Sequence, residues 1–211
     1  MSTTPATPRP KRTYHDEVRR VAARGMGHLG ETSLTPDALT VSGVALCAVG
    51  AVLVWLEYRG WGFFLAGAAA FVIGSVLDIL DGALARTSGK GTPFGAFLDS
   101  TVDRVGEGFM LGAIALVLMR DGNEWGLALT FAALMGSFLV SYTRAKAEGI
   151  GLRGTAGRLG TRTERVVIIT AGLVFAPLGA LPWAMAVLTA TAWLTAVQRV
   201  LSVRSQLRDR A

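Results

Sequence analysis

The chain has 211 residues, of which 51% are hydrophobic and 17% charged, and its mean hydropathy is +0.45. This composition excludes an ordinary soluble domain and predicts an all-α membrane protein with charge confined to loops and termini. The net charge of +6 does not indicate nucleic-acid binding, because the basic residues cluster beside apolar segments. At such positions membrane lipids and phosphorylated substrates are the expected partners.

The N-terminal region precedes the apolar segments. Residues 1–12 are rich in Pro, Thr and Arg, carry no cleavable signal-peptide pattern and are predicted to be a disordered tail. Over residues 13–27, Tyr14 and Val18 fall on one helical face, which predicts an amphipathic helix lying on the membrane surface. A short soluble helix is the alternative. We expect one membrane domain over residues 13–211.

Six apolar segments follow, each near the roughly 20 residues needed to cross a bilayer as a helix. The predicted spans are residues 38–57, 62–85, 95–119, 125–147, 165–181 and 183–201. Basic residues are concentrated in the N-terminal region, in alternate loops and in the C-terminal tail, so the positive-inside rule predicts cytoplasmic termini in a multi-pass cell-membrane protein. Four tryptophans lie near the opposite ends of the spans: Trp55, Trp61, Trp125 and Trp183.

Four aspartates lie at the cytoplasmic ends of the second and third predicted spans. Asp78 and Asp81 are three residues apart on one helix, and Asp99 and Asp103 are four apart on the next, so each pair projects from one face. The Gly-rich turn over residues 88–93 makes the two helices antiparallel neighbours. The spacing therefore predicts four converging carboxylates, which suit a close pair of oxygen-liganded divalent cations.

Two other interpretations of these aspartates stay open. They could face solvent at the helix ends or pair with arginines such as Arg86 and Arg104. They could also mark the ion path of a divalent-cation transporter, since carboxylates within a membrane often do. The transporter fits less well, because all four acids lie toward the cytoplasmic side and the outer half has no comparable polar path.

The aspartates belong to a longer pattern of fixed spacing. It reads Asp78-x2-Asp81-Gly82-x2-Ala85-Arg86-x8-Gly95-x3-Asp99-x3-Asp103. At every position this pattern resembles the signature of the CDP-alcohol phosphotransferases. The resemblance implies that the four aspartates hold Mg²⁺ or Mn²⁺, with two ions expected, and that Asp103 is also the general base. The acceptor hydroxyl would attack CDP-diacylglycerol and expel CMP.

The same resemblance implies where the CDP-lipid binds. Its expected contacts are Asp37, Ala38, Leu39, Thr40, Gly82, Arg86 and Thr92. Asp37 stands where many relatives carry Asn. The resemblance also implies six spans, a surface helix at the N-terminus and a homodimer.

The acceptor is predicted from basic residues at the cytoplasmic ends of the last three spans. Arg144, Arg165 and Arg199 resemble the acceptor-phosphate site of actinobacterial phosphatidylinositol phosphate synthases, which implies inositol 1-phosphate as acceptor. Two departures are Arg144 in place of Lys and the Thr-Arg-Thr-Glu-Arg sequence of residues 161–165 in place of Glu-Arg-Pro-Glu-Arg. The alternatives are glycerol 3-phosphate, giving phosphatidylglycerol phosphate, and arginines that only anchor helix ends to headgroups.

Overall fold

The computed structural model describes residues 36–88, 91–152 and 161–210, and all regular structure in these ranges is helical. The six α-helices are α1 (Pro36–Trp55), α2 (Gly62–Ser88), α3 (Pro93–Arg120), α4 (Glu124–Gly149), α5 (Arg162–Val174) and α6 (Leu181–Arg208). Short 3-10 helices occur at Glu57–Arg59 and Ala176–Leu178. The predicted tail over residues 1–12 and the predicted surface helix over residues 13–27 lie outside the described ranges.

Four of these helices are long and apolar enough to cross a membrane. The qualifying segments are Asp37–Trp55, Gly62–Gly82, Glu124–Gly149 and Leu181–Arg208. Helix α3 is long enough, with 28 residues, but it carries several ionisable side chains in its first half. Helix α5 has only 13 residues. The all-helical membrane character predicted from the sequence is confirmed, with four helices that meet the length and composition of a span.

Helix α5 ends earlier than the sequence analysis predicted. The fifth span was expected to continue to residue 181, whereas α5 ends at Val174 and a 3-10 turn follows. Pro177 cannot donate a backbone hydrogen bond, and Gly179 adopts the left-handed conformation with φ of 74°. A tight turn at these two residues therefore ends the helix before residue 181, and the helix is shorter than expected.

Helices α1 and α2 pack with their backbones unusually close, because glycines face one another. A Cβ atom on Gly74 would lie 2.6 Å from the Gly43 carbonyl oxygen and 2.8 Å from the Cys47 Sγ. Further along the pair, a Cβ on Gly67 would lie 2.8 Å from the Gly50 carbonyl oxygen. Small residues permit such approach between membrane helices. The contact places the start of α1 beside the aspartate-bearing end of α2.

The apolar core surrounds the second half of α3. Met110, Leu111 and Ile114 have no exposed surface, and the core continues through Ile169 on α5 and Met185 on α6. Because these side chains immobilise α3 below its charged first half, the acidic residues of that half project from a fixed support.

The four predicted interfacial tryptophans lie at the helix ends opposite the aspartates. All are exposed: Trp55, Trp61, Trp125 and Trp183. Trp125 and Trp183 contact each other edge to face, with ring centroids 5.2 Å apart. At the same end, Arg120 forms an ion pair with Glu57. Exposed indoles at one end of a helical bundle are typical of a membrane–water interface.

Candidate active site

Three of the four predicted aspartates come together between α2 and α3. Asp78, Asp99 and Asp103 each offer a carboxylate oxygen, and these oxygens lie within 4.8 Å of one another. Helix α3 begins at Pro93, because the Thr92 hydroxyl accepts a hydrogen bond from the Gly95 amide at 2.9 Å and so caps the helix. Two carboxylates one helical turn apart on α3 then face the one from α2.

The fourth aspartate, Asp81, is 2% exposed and points toward α1. Its Oδ2 accepts a hydrogen bond from the Thr40 hydroxyl. Its Oδ1 is buried and has no hydrogen-bond partner among the described residues. Because an unpaired buried carboxylate oxygen is costly, a cation ligand would stabilise it. A donor set of carboxylate oxygens alone matches Mg²⁺ and Mn²⁺, so these side chains fit the predicted divalent metal site.

A cavity of about 320 Å³ opens beside Asp81 and Asp99. Its lining includes four of the predicted nucleotide contacts: Asp37, Thr40, Gly82 and Thr92. Ala38 and Leu39, predicted for the same role, are not part of this lining, and the Arg86 side chain lies outside the described residues. The predicted nucleotide segments of α1, α2 and α3 thus meet at one cavity that adjoins the carboxylates.

Gly95 has a steric role at this cavity. A Cβ atom at this position would lie 3.0 Å from Asp37 Oδ1 and 3.1 Å from Thr92 Oγ1. Glycine therefore allows the Asp37 carboxylate to approach the first turn of α3.

Arg162 is a site residue that the sequence analysis did not identify. Its guanidinium forms ion pairs with both Asp78 and Asp103, and Arg104 lies 3.6 Å from Asp103. An arginine side chain is protonated at neutral pH, so Arg162 carries a positive charge beside these carboxylates. Its role could have been suspected from the sequence, because Arg162 lies three residues before Arg165 and the two therefore share one face of α5.

The predicted acceptor residue Arg165 is buried and already has a carboxylate partner. Its Nε and Nη2 donate to the two carboxylate oxygens of Glu107 at 2.8 and 2.9 Å. Glu107 lies one helical turn after Asp103 on α3. The ion pair therefore links α5 to the helix that carries the proposed base.

The other two predicted acceptor residues lie at the ends of α4 and α6. Arg144 is exposed, with its Nε 2.9 Å from Glu148. Arg199 is half-buried and donates through Nη1 to the Val140 carbonyl oxygen. The three predicted arginines therefore lie on α4, α5 and α6 toward the aspartate end of the bundle.

An apolar groove of about 570 Å³ runs between α2 and α5. Val72, Val76 and Ile79 line it from α2, and Val167 lines it from α5. Arg162 lies at its polar end and connects it with the aspartate cluster.

Several known proteins are similar to this chain in sequence. The CDP-alcohol phosphatidyltransferase family model matches residues 33–198. The phosphatidylinositol phosphate synthase of Mycolicibacterium smegmatis is 38% identical over 82% of this chain and 78% of its own length. The archaetidylinositol phosphate synthase of Pyrococcus horikoshii is 35% identical over 90% of this chain and 97% of its own.

Two crystal structures of the phosphatidylinositol phosphate synthase of Mycobacterium tuberculosis are also similar. The structure with CDP-DAG bound gives a TM-score of 0.73 at 32% identity and covers 87% of this chain and 92% of that one. The structure with manganese and citrate gives 0.72 at 34% identity and covers 87% of each chain. The chain therefore belongs to the CDP-alcohol phosphatidyltransferase family and is a transferase enzyme.

Proposed function

We propose that this enzyme transfers the phosphatidyl group of CDP-diacylglycerol to inositol 1-phosphate and releases CMP. The observation that carries the proposal is the convergence of Asp78, Asp99 and Asp103 beside a cavity lined by Asp37 and Thr40. The acceptor and donor are supported by relatives that are named phosphatidylinositol phosphate synthases, one of them with CDP-DAG bound.

Divalent ions are part of this proposal. Asp78, Asp81, Asp99 and Asp103 would hold two ions, Mg²⁺ or Mn²⁺, and a related enzyme structure contains manganese. When bound, the ions supply positive charge that offsets the developing charge on the pyrophosphate.

Asp103 is the proposed general base. It lies one helical turn from Asp99 and has Arg104 nearby. Its carboxylate takes the proton of the acceptor hydroxyl, whose oxygen forms a bond to the phosphorus of the phosphatidyl group. The bond between that phosphorus and the CMP oxygen breaks, and CMP leaves with the electron pair.

The CDP portion would occupy the cavity at the start of α1. Its lining residues Asp37, Thr40, Gly82 and Thr92 support this position, and the small side chains of Gly95 and its neighbours leave room for a nucleotide. Contacts from the Ala38–Leu39 backbone and from Arg86 remain part of the proposal through the family resemblance.

The acyl chains of the donor would lie in the groove between α2 and α5. That groove is almost wholly apolar along Val76, Ile79 and Val167, and its polar end adjoins the aspartates. A CDP-lipid needs an apolar groove that ends at a polar site, because its phosphate must reach the metal ligands while its tails stay in hydrocarbon.

The acceptor phosphate would bind among Arg144, Arg165 and Arg199. Their position on α4, α5 and α6 toward the aspartate end supports such a site, because guanidinium groups donate charge-assisted hydrogen bonds to phosphate. Glycerol 3-phosphate also carries a phosphate and is the alternative acceptor.

The membrane arrangement is proposed in the form that the sequence predicted. All six predicted spans would cross the bilayer, the fifth through α5 together with the 3-10 turn after it, residues 13–27 would form a surface helix, and residues 13–211 would make one domain. Both termini and the active site would face the cytoplasm, and the enzyme would act as a homodimer. These features are supported by the charge distribution of the loops and by the family.

The proposed chemistry is tested by supplying the purified enzyme with CDP-diacylglycerol and inositol 1-phosphate. CMP and a phosphatidylinositol phosphate of matching mass should form together with Mg²⁺ or Mn²⁺, and excess EDTA should stop both. CMP release that continues in EDTA would contradict the metal-dependent mechanism.

A further inference from the structure

Two arginines of α5 form ion pairs with acidic residues of α3, and they differ in the number of carboxylates that each contacts. The Glu107–Arg165 pair matches one carboxylate with one guanidinium in bidentate geometry. Arg162 instead contacts two carboxylates, those of Asp78 and Asp103. The first arginine is matched by one carboxylate, whereas the second contacts two.

A third carboxylate, that of Asp99, lies in the same cluster. The carboxylate oxygens of Asp78, Asp99 and Asp103 lie within 4.8 Å of one another. Arg162 and the more distant Arg104 are the cations that ion pairs place at this cluster within the described ranges. Carboxylates this close repel one another strongly unless a cation lies between them.

The oxygens that Arg162 contacts are those that the proposed metal site needs. Asp78 and Asp103 can each direct a given lone pair at a guanidinium or at a divalent ion, but not at both. The Arg162 side chain is 29% exposed, more than its partners, and it borders the groove between α2 and α5. It therefore has space into which it can withdraw, unlike Arg165, which is 10% exposed.

We infer that Arg162 is a displaceable counter-cation of the metal site, which neutralises Asp78 and Asp103 until divalent ions take its place. This inference rests on the metal site of the proposed function. It assigns Arg162 a role in setting the affinity of the site for divalent ions, because its guanidinium competes with them for the oxygens of Asp78 and Asp103.

The direct consequence is that Arg162 and divalent ions compete for the same carboxylate oxygens. An ion that binds must break the ion pairs of Arg162, so removal of the guanidinium should tighten binding. Coupling between two binding events in a protein typically changes affinity by about 5- to 150-fold, and we expect a change near the lower end, because Arg162 is partly exposed.

The test is a titration of the purified, EDTA-stripped enzyme with Mn²⁺, followed by calorimetry. Arg162→Gln should lower the Kd for Mn²⁺ by about five- to tenfold. Arg162→Lys, which keeps the charge, should stay closer to the wild type. Arg204→Gln removes the same charge from an exposed position of α6 and should leave the Kd unchanged. Unchanged or weaker binding by Arg162→Gln would overturn the inference.

A second measurement uses the wild-type chain and does not depend on the folding of a variant. Phenylglyoxal modification, followed by peptide mass spectrometry, should modify Arg162 faster with saturating Mn²⁺ than without it. Arg165 should remain protected in both conditions, since Glu107 holds it. Equal or slower modification of Arg162 with Mn²⁺ would overturn the displacement. If wild-type enzyme bound no Mn²⁺ at all, the proposed metal site itself would be wrong, and the inference with it.

Discussion

Glu107 and Arg165 form a buried bidentate ion pair between α3 and α5, with donor–acceptor distances of 2.8 and 2.9 Å. The two side chains are only 12% and 10% exposed. Arg165 is therefore held in place before any acceptor binds. An acceptor phosphate would have to share its guanidinium with Glu107, and Arg165 would serve both the fold and the proposed acceptor site.

This pair predicts a specific pattern of stabilities. Glu107→Gln and Arg165→Gln should each lower the thermal unfolding temperature in detergent, because each removes one partner of a buried ion pair at a cost of about 3–5 kcal/mol. The double variant should be more stable than the sum of the single effects predicts. Arg144→Gln, which breaks an exposed pair with Glu148, is the matched control and should change little. Strictly additive losses would show that the two buried charges do not depend on each other.

If Asp103 is the general base, its substitution should reduce turnover far more than it weakens substrate binding. Asp103→Asn should reduce CMP formation by about 10²- to 10⁴-fold, the usual contribution of a general base. Binding of CDP-diacylglycerol, measured by calorimetry, should change far less. Asp121→Asn, at the other end of α3, should retain activity. Near-normal turnover by Asp103→Asn would rule out this residue as the base.

The proposed acceptor site predicts a selective change in Michaelis constants. Arg199→Ala should raise KM for inositol 1-phosphate by tenfold or more, about the value of one charge-assisted hydrogen bond. KM for CDP-diacylglycerol should stay within about twofold, because the nucleotide cavity lies against α1 and α2. Arg204→Ala is the control on the same helix. Equal changes in both constants would indicate a general structural effect rather than an acceptor-phosphate site.

The close packing of α1 on α2 predicts position-dependent effects of the same substitution. Gly74→Ala should lower the unfolding temperature, since the added methyl group would lie 2.6 Å from the Gly43 carbonyl oxygen. Gly112→Ala has open space around it and should leave that temperature unchanged or slightly raised. Equal stability of both variants would mean that the helices can separate at no cost.

The sequence predicted those parts of the site that depend on local spacing. Asp78, Asp99 and Asp103 could be placed on facing helix surfaces from their intervals and the short turn between them. The nucleotide cavity followed from the family pattern, although Ala38 and Leu39 do not line it. Arg162 and Glu107 were missed, because their roles depend on how α5 packs against α3, and no interval within one helix specifies that. The early end of α5 was missed because apolar residues continue past Val174 while the backbone turns.

The most direct test of the proposed reaction is CMP release from CDP-diacylglycerol with each acceptor supplied separately. The acceptors are inositol 1-phosphate, glycerol 3-phosphate, free inositol and serine, each with Mg²⁺ present. We predict rapid CMP release with inositol 1-phosphate and little with the other three. Turnover with glycerol 3-phosphate alone would keep the metal chemistry but contradict the proposed acceptor, and no CMP with any acceptor would contradict the proposed function as a whole.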